Sequence, residues 1–146
     1  MPPFRKILKW ASIGFVAMLI LVQFVPYGRD HSNATGGRPI AWDSPRTQEL
    51  MTGACMDCHS NETTWPWYSN IAPVSWLVQR DVDEGRDTLN LSTGTGEIDE
   101  MIETIREGSM PPWFYKPLHS GARLSDLEKQ DLIRGIQATF GAGAGG

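Results

Sequence analysis

The chain of 146 residues has only two cysteines. It also shows no convincing strand run, no internal repeat and no basic cluster. The missing strand pattern predicts an all-α fold, and the missing basic cluster excludes nucleic acid as a partner, since phosphate contacts need Lys and Arg. Three of the 13 basic residues but none of the 17 acidic residues precede residue 28, so residues 28–146 carry a formal charge of −7.

The N-terminal segment is set apart by its apolar composition. Arg5, Lys6 and Lys9 are followed by the uncharged run Trp10–Tyr27, and a helix of this length spans about 27 Å, close to the hydrocarbon thickness of a bilayer. The basic flank favours a cytoplasmic N-terminus, so the run predicts one transmembrane anchor with the rest of the chain outside. A buried core helix and a signal peptide cleaved near Ser32–Ala34, a crude small-x-small site, are the alternatives.

Short helices joined by long loops are predicted for the rest of the chain. Ser44 and Pro45 read as an N-cap followed by proline at the first helical position, with the helix ending at Gly53. Three further helices are predicted from apolar residues at helical spacing: Val74, Leu77, Val78 and Val82, with Leu89 extending the face; Ile98, Met101, Ile102 and Ile105; and Leu132, Ile133, Ile136 and Phe140.

Glycines and a capping box predict where the later helices begin and end. Gly108 is expected to end the helix that contains Ile98–Ile105. Ser125 and Glu128 are expected to cap the start of the last helix, and Gly141 to end it. Each helix is too short to be stable alone, and long ordered loops are unusual unless something holds them. This combination favours a bound cofactor that forms part of the core.

The expected domain organisation has four parts. Residues 1–27 are the membrane anchor, and residues 28–43 form a linker in which His31 is solvated. Residues 44–140 form the functional domain, and residues 141–146 are a flexible glycine-rich tail.

Both cysteines lie in the segment Cys55–His59, which reads C-x-x-C-H, the attachment signature of c-type haem. The spacing lets two thiols reach two vinyl groups of one porphyrin and places the imidazole of His59 under the iron. A thioredoxin-like redox pair would need a βαβ setting. A zinc site would need ligands such as His31 and His119, and a disulfide would leave His59 unexplained. We therefore expect one covalently bound haem c.

Large aromatic residues are numerous for a chain of this length. Each one taken singly is best explained as ordinary core, but a haem would give them a common partner, because indole and phenol rings pack on flat apolar surfaces and hydrogen-bond at their tips. The residues in question are Trp65, Trp67, Tyr68, Trp76, Trp113 and Tyr115.

The second axial ligand is predicted to be Met110. It precedes Pro111-Pro112 in a loop that the prolines stiffen, and Met/His ligation is usual in cytochromes c. His119, in the same loop, is the rival ligand. Met51 and Met101 are expected to pack in the core.

The sequence resembles a known family over roughly residues 40–138. The stretches "CMDCHSNETTWPWYSNIAPVSWLV", "DVDEGRDTLN", "GSMPPWFY" and "LHSGARLS" are similar to those of the bacterial haem-binding domain family with a potential C-x-x-C-H haem site. This resemblance implies a mainly α-helical, cytochrome-c-like domain with long loops wrapped on covalently bound haem. The family pattern carries over to Cys55, Cys58, His59 and Met110, and His119 and Arg86 also match family positions.

The function expected from these features is that of a membrane-anchored, periplasmic, mono-haem c-type cytochrome. It would transfer one electron at a time and be an electron carrier rather than an enzyme, since two protein ligands close both faces of the iron. We expect it in the bacterial inner membrane, with redox proteins in or at the membrane as partners, and the acidic surface favours a basic docking face on them. The alternatives are a haem sensor or peroxidase-like protein with an open sixth site, and an interaction domain without haem.

Overall fold

The computed structural model describes residues 2–141. Within this range it contains six α-helices and no strand, apart from one antiparallel bridge between Asn90 and Thr95. The all-α expectation is therefore confirmed. The helices are α1 (Pro2–Val22), α2 (Pro45–Ala54), α3 (Met56–His59), α4 (Val74–Thr88), α5 (Ile98–Glu107) and α6 (Asp126–Phe140), and two 3₁₀ turns cover Trp67–Asn70 and Ser120–Ala122.

The chain divides into two compact units. The first joins the chain up to Ser32 with Trp65–Asp81, and the second joins Asn33–Thr64 with the chain from Val82 onward. The division falls inside α4, so this helix contributes its first half to one unit and its second half to the other.

The second unit contains a hydrophobic core built from α2, α3, α5 and α6. Three residues of the apolar stripe predicted for α5, Met101, Ile102 and Ile105, are buried, and Ile98 is partly buried. Leu132 and Ile136 of the stripe predicted for α6 are also buried. Met51 and Met101 lie in this core, as expected from their positions. The buried members of the core are Leu50, Met51, Met56, Leu89, Leu91, Met101, Ile102, Ile105, Leu132 and Ile136.

The start of α2 and the end of α5 are those that the local sequence predicts. Ser44 accepts a hydrogen bond from the backbone N–H of Thr47, and Pro45 occupies the first helical position. Gly108 ends α5 with a left-handed φ of 80°, a conformation that only glycine adopts without strain.

Both ends of α6 also follow the prediction. The Ser125 side chain accepts from the N–H of Glu128, whose carboxylate accepts from the Ser125 N–H, which completes the capping box. Gly141 caps the C-terminal end. Residues 142–146 of the expected tail lie outside the described residues.

Two glycines inside helices have a packing role that local sequence does not reveal. The expected helix stop at Gly53 is wrong: Gly53 lies inside α2, where an added Cβ would lie 3.2 Å from Gly121 Cα. Gly135 lies inside α6, where an added Cβ would lie 2.0 Å from Thr47 Oγ1. Both positions need glycine because another segment of the chain approaches the helix backbone closely.

The apolar face predicted for α4 is only partly correct. Val82 and Leu89 are buried, whereas Val74 and Leu77 are 40% and 59% exposed. The first turn of α4 buries Ser75 instead, because the backbone at Gly28 packs against it and an added Cβ on Gly28 would lie 2.5 Å from Ser75 O.

The segment expected to be a linker, residues 28–43, is packed against other parts of the chain. The His31 ring stacks on Trp65 with ring centroids 4.6 Å apart, and His31 Nε2 donates to the Ser69 carbonyl at 3.1 Å. The prediction of a solvated linker histidine is therefore wrong. Further along, Ile40 and Trp42 pack against the core of the second unit.

Helix α1 differs from the transmembrane segment expected at residues 1–27. It ends at Val22, so the run Trp10–Tyr27 is only partly helical, and it includes Arg5, Lys6 and Lys9. Within residues 2–141, no helix is both long enough and apolar enough to cross a membrane. The transmembrane helix is thus not found in its predicted form, because charged residues enter the helix at one end and its apolar part stops early at the other.

Residues that follow α1 are fastened to the loop before α4. The Gln23 side chain donates from Nε2 to the Ala72 carbonyl at 2.7 Å and accepts from the Ala72 N–H through Oε1 at 3.0 Å. This two-way amide contact makes the stretch from Gln23 to His31 part of the first unit.

Candidate haem site

The attachment segment is a short turn of helix that starts where α2 stops. Cys55 breaks α2 with a φ of −130°, and its carbonyl accepts from the backbone N–H groups of Cys58 and His59 at 3.2 and 2.9 Å. Residues spaced by three and four positions in a helical turn lie on one face, so the two sulfurs and the imidazole share a side. The structure contains no disulfide between the two cysteines.

The His59 imidazole is oriented through one of its two ring nitrogens. Nδ1 lies 3.0 Å from both the Gly85 and the Leu89 carbonyl oxygens. Carbonyl oxygens only accept, so Nδ1 carries the proton and Nε2 is left with a lone pair in the neutral ring. The His59 carbonyl is fixed as well, by the Leu91 N–H at 2.9 Å. This is the arrangement of a metal-ligating histidine with its orientation set by the surrounding protein.

Gly85 is a functional residue that the sequence analysis missed. A Cβ added at Gly85 would lie 2.7 Å from Cys58 O and 3.1 Å from Cys58 Cβ, so α4 approaches the attachment segment as closely as two backbones allow. This approach brings the Gly85 carbonyl within reach of His59 Nδ1. The only sequence signal for this close approach was a glycine within a predicted amphipathic helix.

Arg86 fixes the loop that follows the attachment segment. Its Nε donates to the Ser60 carbonyl at 2.8 Å. Its Nη2 donates to Thr63 Oγ1 at 2.8 Å and to Asn33 Oδ1 at 3.2 Å. The structure therefore gives Arg86 a role as a loop clamp directly behind His59.

A buried network of amide and hydroxyl groups extends this support. Asn90 Nδ2 donates to Asn61 Oδ1 at 2.9 Å, and Asn61 Nδ2 donates to the Gly36 carbonyl at 2.8 Å. Ser92 closes the network through its hydroxyl, which accepts from Asn61 N–H at 3.0 Å. Satisfied buried networks of this kind select one backbone arrangement, here that of the segment beside His59.

The Cys55 thiol has a raised pKa. Burial, with a smaller contribution from the neighbouring Cys58, raises the pKa of the Cys55 thiol to about 12. In the folded chain the Cys55 thiol therefore keeps its proton at neutral pH and is a weak nucleophile, because the thiolate is the reactive form.

His119 borders a cavity of about 400 Å³ beside the attachment segment. The cavity walls include Met56 and Asp57, the two residues between the cysteines, but neither thiol and not His59. The His119 ring stacks on Tyr115 at 3.6 Å, and its Nδ1 donates to the Tyr115 carbonyl at 3.0 Å. His119 thus lies beside the residues between the cysteines.

Met110 lies in the loop between α5 and α6. Its backbone N–H donates to the Thr104 carbonyl at 3.2 Å, and the residue is 38% exposed. Among the predicted aromatic partners in this loop, Trp113 is 81% exposed, whereas the Tyr115 hydroxyl donates to Asp57 Oδ2 at 2.8 Å.

Comparison with known families decides the assignment of the chain. A family model described as the haem-binding domain matches residues 17–138, which is most of the sequence. The chain belongs to the haem-binding domain family. No curated protein and no solved structure matches it.

The residues of this haem-binding domain fit a haem. Two cysteine side chains and an imidazole with Nε2 open for a metal lie on one face of a helical turn, and these are the groups that attach a porphyrin and ligate its iron in a C-x-x-C-H motif. The expectation of a haem cofactor is therefore confirmed. The described residues contain no cluster of three His, Cys, Asp or Glu suited to a bare metal ion.

The first unit of the haem-binding domain contributes two buried donors with unmet hydrogen bonds. The indole N–H groups of Trp65 and Trp76 are buried without a hydrogen-bond partner among residues 2–141. Buried donors are normally paired, so an acceptor such as water or a ligand carboxylate is expected at each.

Replacing Gly85 with alanine tests the close approach of α4. We expect a loss of about 1–3 kcal/mol in stability from overpacking. We also expect a higher haem potential, because a longer hydrogen bond leaves the His59 imidazole less basic. Thermal unfolding and redox titration of the haem-loaded protein measure the two effects.

Gly14→Ala in α1, where a Cβ meets no atom within 4 Å, is the matched control. An alanine at position 85 that leaves both the unfolding temperature and the potential unchanged would show that the contact does not position His59.

Proposed function

We propose that the chain is a c-type cytochrome that carries one electron at a time. The observation that carries this proposal is the His59 imidazole, held through Nδ1 with Nε2 open, at the end of the C-x-x-C-H motif. When bound, the haem supplies a ferric/ferrous couple at the iron. The residues of the chain hold the group, orient its ligand and restrict access to it.

We propose covalent attachment through Cys55 and Cys58, with one haem per chain. Each thiol adds across one vinyl group: a carbon–sulfur bond forms, the thiol hydrogen goes to the other vinyl carbon, and no oxidant is needed. The high pKa of Cys55 in the folded chain favours attachment before the segment is fully buried, since the thiolate is the nucleophile.

We propose Met110 as the second axial ligand. The geometry of His119 supports this choice, because its ring packs on Tyr115 at a cavity bordered by Met56 and Asp57. Those two residues lie between the cysteines, one and two positions after Cys55, and side chains at such spacings in a helical turn do not share the face of Cys55, Cys58 and His59. A thioether ligand favours ferrous iron and a high potential, as suits an electron carrier.

A sensor or peroxidase-like protein is the second candidate. The observation that favours it is the exposure of Met110, which is 38% exposed in a proline-rich loop. If the thioether does not bind the iron, small ligands such as carbon monoxide or peroxide gain access to the sixth position.

The location and the partners are also proposals. The basic residues at the start of α1 and its exposed apolar side chains support attachment to the bacterial inner membrane, with the following domain in the periplasm. The acidic composition of that domain supports redox partners with a basic docking face.

Covalent attachment is tested by removing both thiols. We expect haem to remain on the wild-type chain after denaturation and acid-acetone extraction, and Cys55→Ala with Cys58→Ala to lose it. Haem staining of a denaturing gel measures the difference. The double variant should also be poorly folded, so haem that extracts freely from the wild type, or an apo-protein of equal stability, contradicts the proposal.

The axial ligand is tested by separate alanine substitutions. We expect Met110→Ala to abolish the sulfur-to-iron charge-transfer band of the ferric protein, to lower the potential and to open the ferrous iron to carbon monoxide. His119→Ala should change none of these. If His119→Ala, and not Met110→Ala, opens the ferrous iron to carbon monoxide, the ligation is bis-histidine. A wild-type protein that readily binds carbon monoxide would favour the sensor or peroxidase function.

Membrane attachment is tested by replacing residues 1–22 with a cleavable export signal, which keeps Gln23 and its contact with Ala72. We expect a soluble haem-loaded domain, while the full chain stays in the membrane pellet after alkaline carbonate washing. Replacing residues 1–31 should cost on the order of 2 kcal/mol more in stability, since the hydrogen bonds to Ala72 and Ser69 are lost. A full chain that is recovered in the soluble fraction contradicts the anchor.

A further inference from the structure

The loop that carries Met110 is fastened at its N-terminal end to the last turn of α5. The Thr104 carbonyl accepts from the Met110 N–H at 3.2 Å and from the Ser109 hydroxyl at 3.1 Å. The same carbonyl also accepts from the Gly108 N–H at 3.1 Å, so the end of α5 and the start of the loop share one acceptor. The backbone at Met110 is therefore held in a fixed position.

The same loop is fastened a second time, five residues later, to the attachment segment itself. The Tyr115 hydroxyl donates to Asp57 Oδ2 at 2.8 Å, and Asp57 lies between the two cysteines. A hydrogen bond to a carboxylate is stronger than one between neutral groups. It links the loop of the proposed sixth ligand directly to the helical turn that carries the thiols.

Asp57 is well suited to act as a fixed acceptor. Its other carboxylate oxygen accepts from the Thr64 N–H at 3.0 Å, and its carbonyl accepts from the Thr63 hydroxyl at 2.7 Å. With both carboxylate oxygens engaged, the carboxylate cannot rotate away from Tyr115 without breaking other bonds.

Tyr115 is held from its other side. The His119 ring lies parallel to it, 3.6 Å away with an interplanar angle of 7°. Arg123 donates to the carbonyls of Lys116 and Pro117 at 2.8 and 2.6 Å. The chain after Tyr115 is therefore stiff, and movement of the loop is restricted to the short span between Met110 and Tyr115.

We propose that the hydrogen bond from Tyr115 to Asp57 positions Met110 and keeps the sixth coordination site closed. This inference rests on the proposed ligation by Met110. Asp57 and Tyr115 act through the loop and are positioning residues, and His119 contributes by packing on Tyr115. Through the hydrogen bond from Tyr115 to Asp57, the segment that attaches the haem also holds the loop that carries Met110 at the other face of the haem.

The test replaces Tyr115 with phenylalanine in the haem-loaded protein, which removes one hydroxyl and keeps the ring that stacks on His119. Imidazole binding to the ferric protein measures how readily Met110 is displaced. We expect about ten-fold tighter imidazole binding, from the loss of a charge-assisted hydrogen bond, and a weaker sulfur-to-iron charge-transfer band. Tyr27→Phe removes the same atom at an exposed site and should change neither.

Asp57→Asn provides the conservative comparison. The amide oxygen can still accept from Tyr115, although more weakly than a carboxylate, so we expect an intermediate effect of about three-fold. Hydrogen exchange of the Leu118 amide, which bonds to the Tyr115 carbonyl, reports loop mobility independently of the iron and should become faster in Tyr115→Phe.

The outcomes separate this inference from the proposed function. If the wild type shows the charge-transfer band and Tyr115→Phe keeps its imidazole affinity and amide exchange unchanged, the positioning role is wrong while Met110 ligation stands. If the wild type lacks the band and Met110→Ala has no effect on the iron, ligation by Met110 fails and the positioning role fails with it. Tighter imidazole binding and faster exchange in Tyr115→Phe together support the inference.

Discussion

The contact between the end of α4 and the His59 ring is the interaction on which the haem site depends. α4 ends at Thr88, so the Leu89 carbonyl lies beyond the last helical turn and lacks a helical donor. His59 Nδ1 supplies that donor and is shared with the Gly85 carbonyl. The helix end needs a donor and the imidazole needs an acceptor, and one contact meets both needs. The negative end of the helix dipole also lies at this point, which favours an electron-rich imidazole as an iron ligand.

This contact is possible only because backbones approach each other at glycine. Gly85 admits the Cys58 backbone, Gly53 lies against Gly121, and Gly135 lies against the Thr47 side chain. A domain of this size has few core positions and buries a modest share of its surface. Close contact between backbones surrounds the attachment turn with rigid segments. Contacts made only through long side chains would restrict the turn less. Because apolar core positions are few, hydrogen bonds from Arg86 and from the asparagine network complete the support of the segment after His59.

Local signals in the sequence predicted the local features of the fold. The caps at Ser44 and Ser125, the stop at Gly108 and the stripe of α5 depend on residues within one or two turns of each other, and the structure agrees with them. Features that depend on distant parts of the chain could not be predicted. His31 stacks on Trp65, 34 positions later in the chain. Val74 is exposed while Ser75 is buried, because the Gly28 backbone packs against Ser75 in the first turn of α4. Of the candidate site, the C-x-x-C-H motif alone singled out the two cysteines and His59, whose binding to iron stays a prediction, whereas the contact made by Gly85 follows only from which helix lies beside them.

In the proposed site, the attachment motif supplies one iron ligand, and the loop that carries Met110 would determine the reactivity at the other side of the iron. A loop held at both ends has little conformational freedom left to lose, so its ligand competes well with free small molecules. The span from Met110 to Tyr115 is held by Thr104 at one end and Asp57 at the other. In the proposed site, both anchors together would let Met110 close the sixth position at little entropic cost, which favours the proposed electron transfer. With either anchor lost, the same haem and the same motif would favour ligand binding, so the proposed difference between the two candidate functions lies in two hydrogen bonds made by the loop that carries Met110.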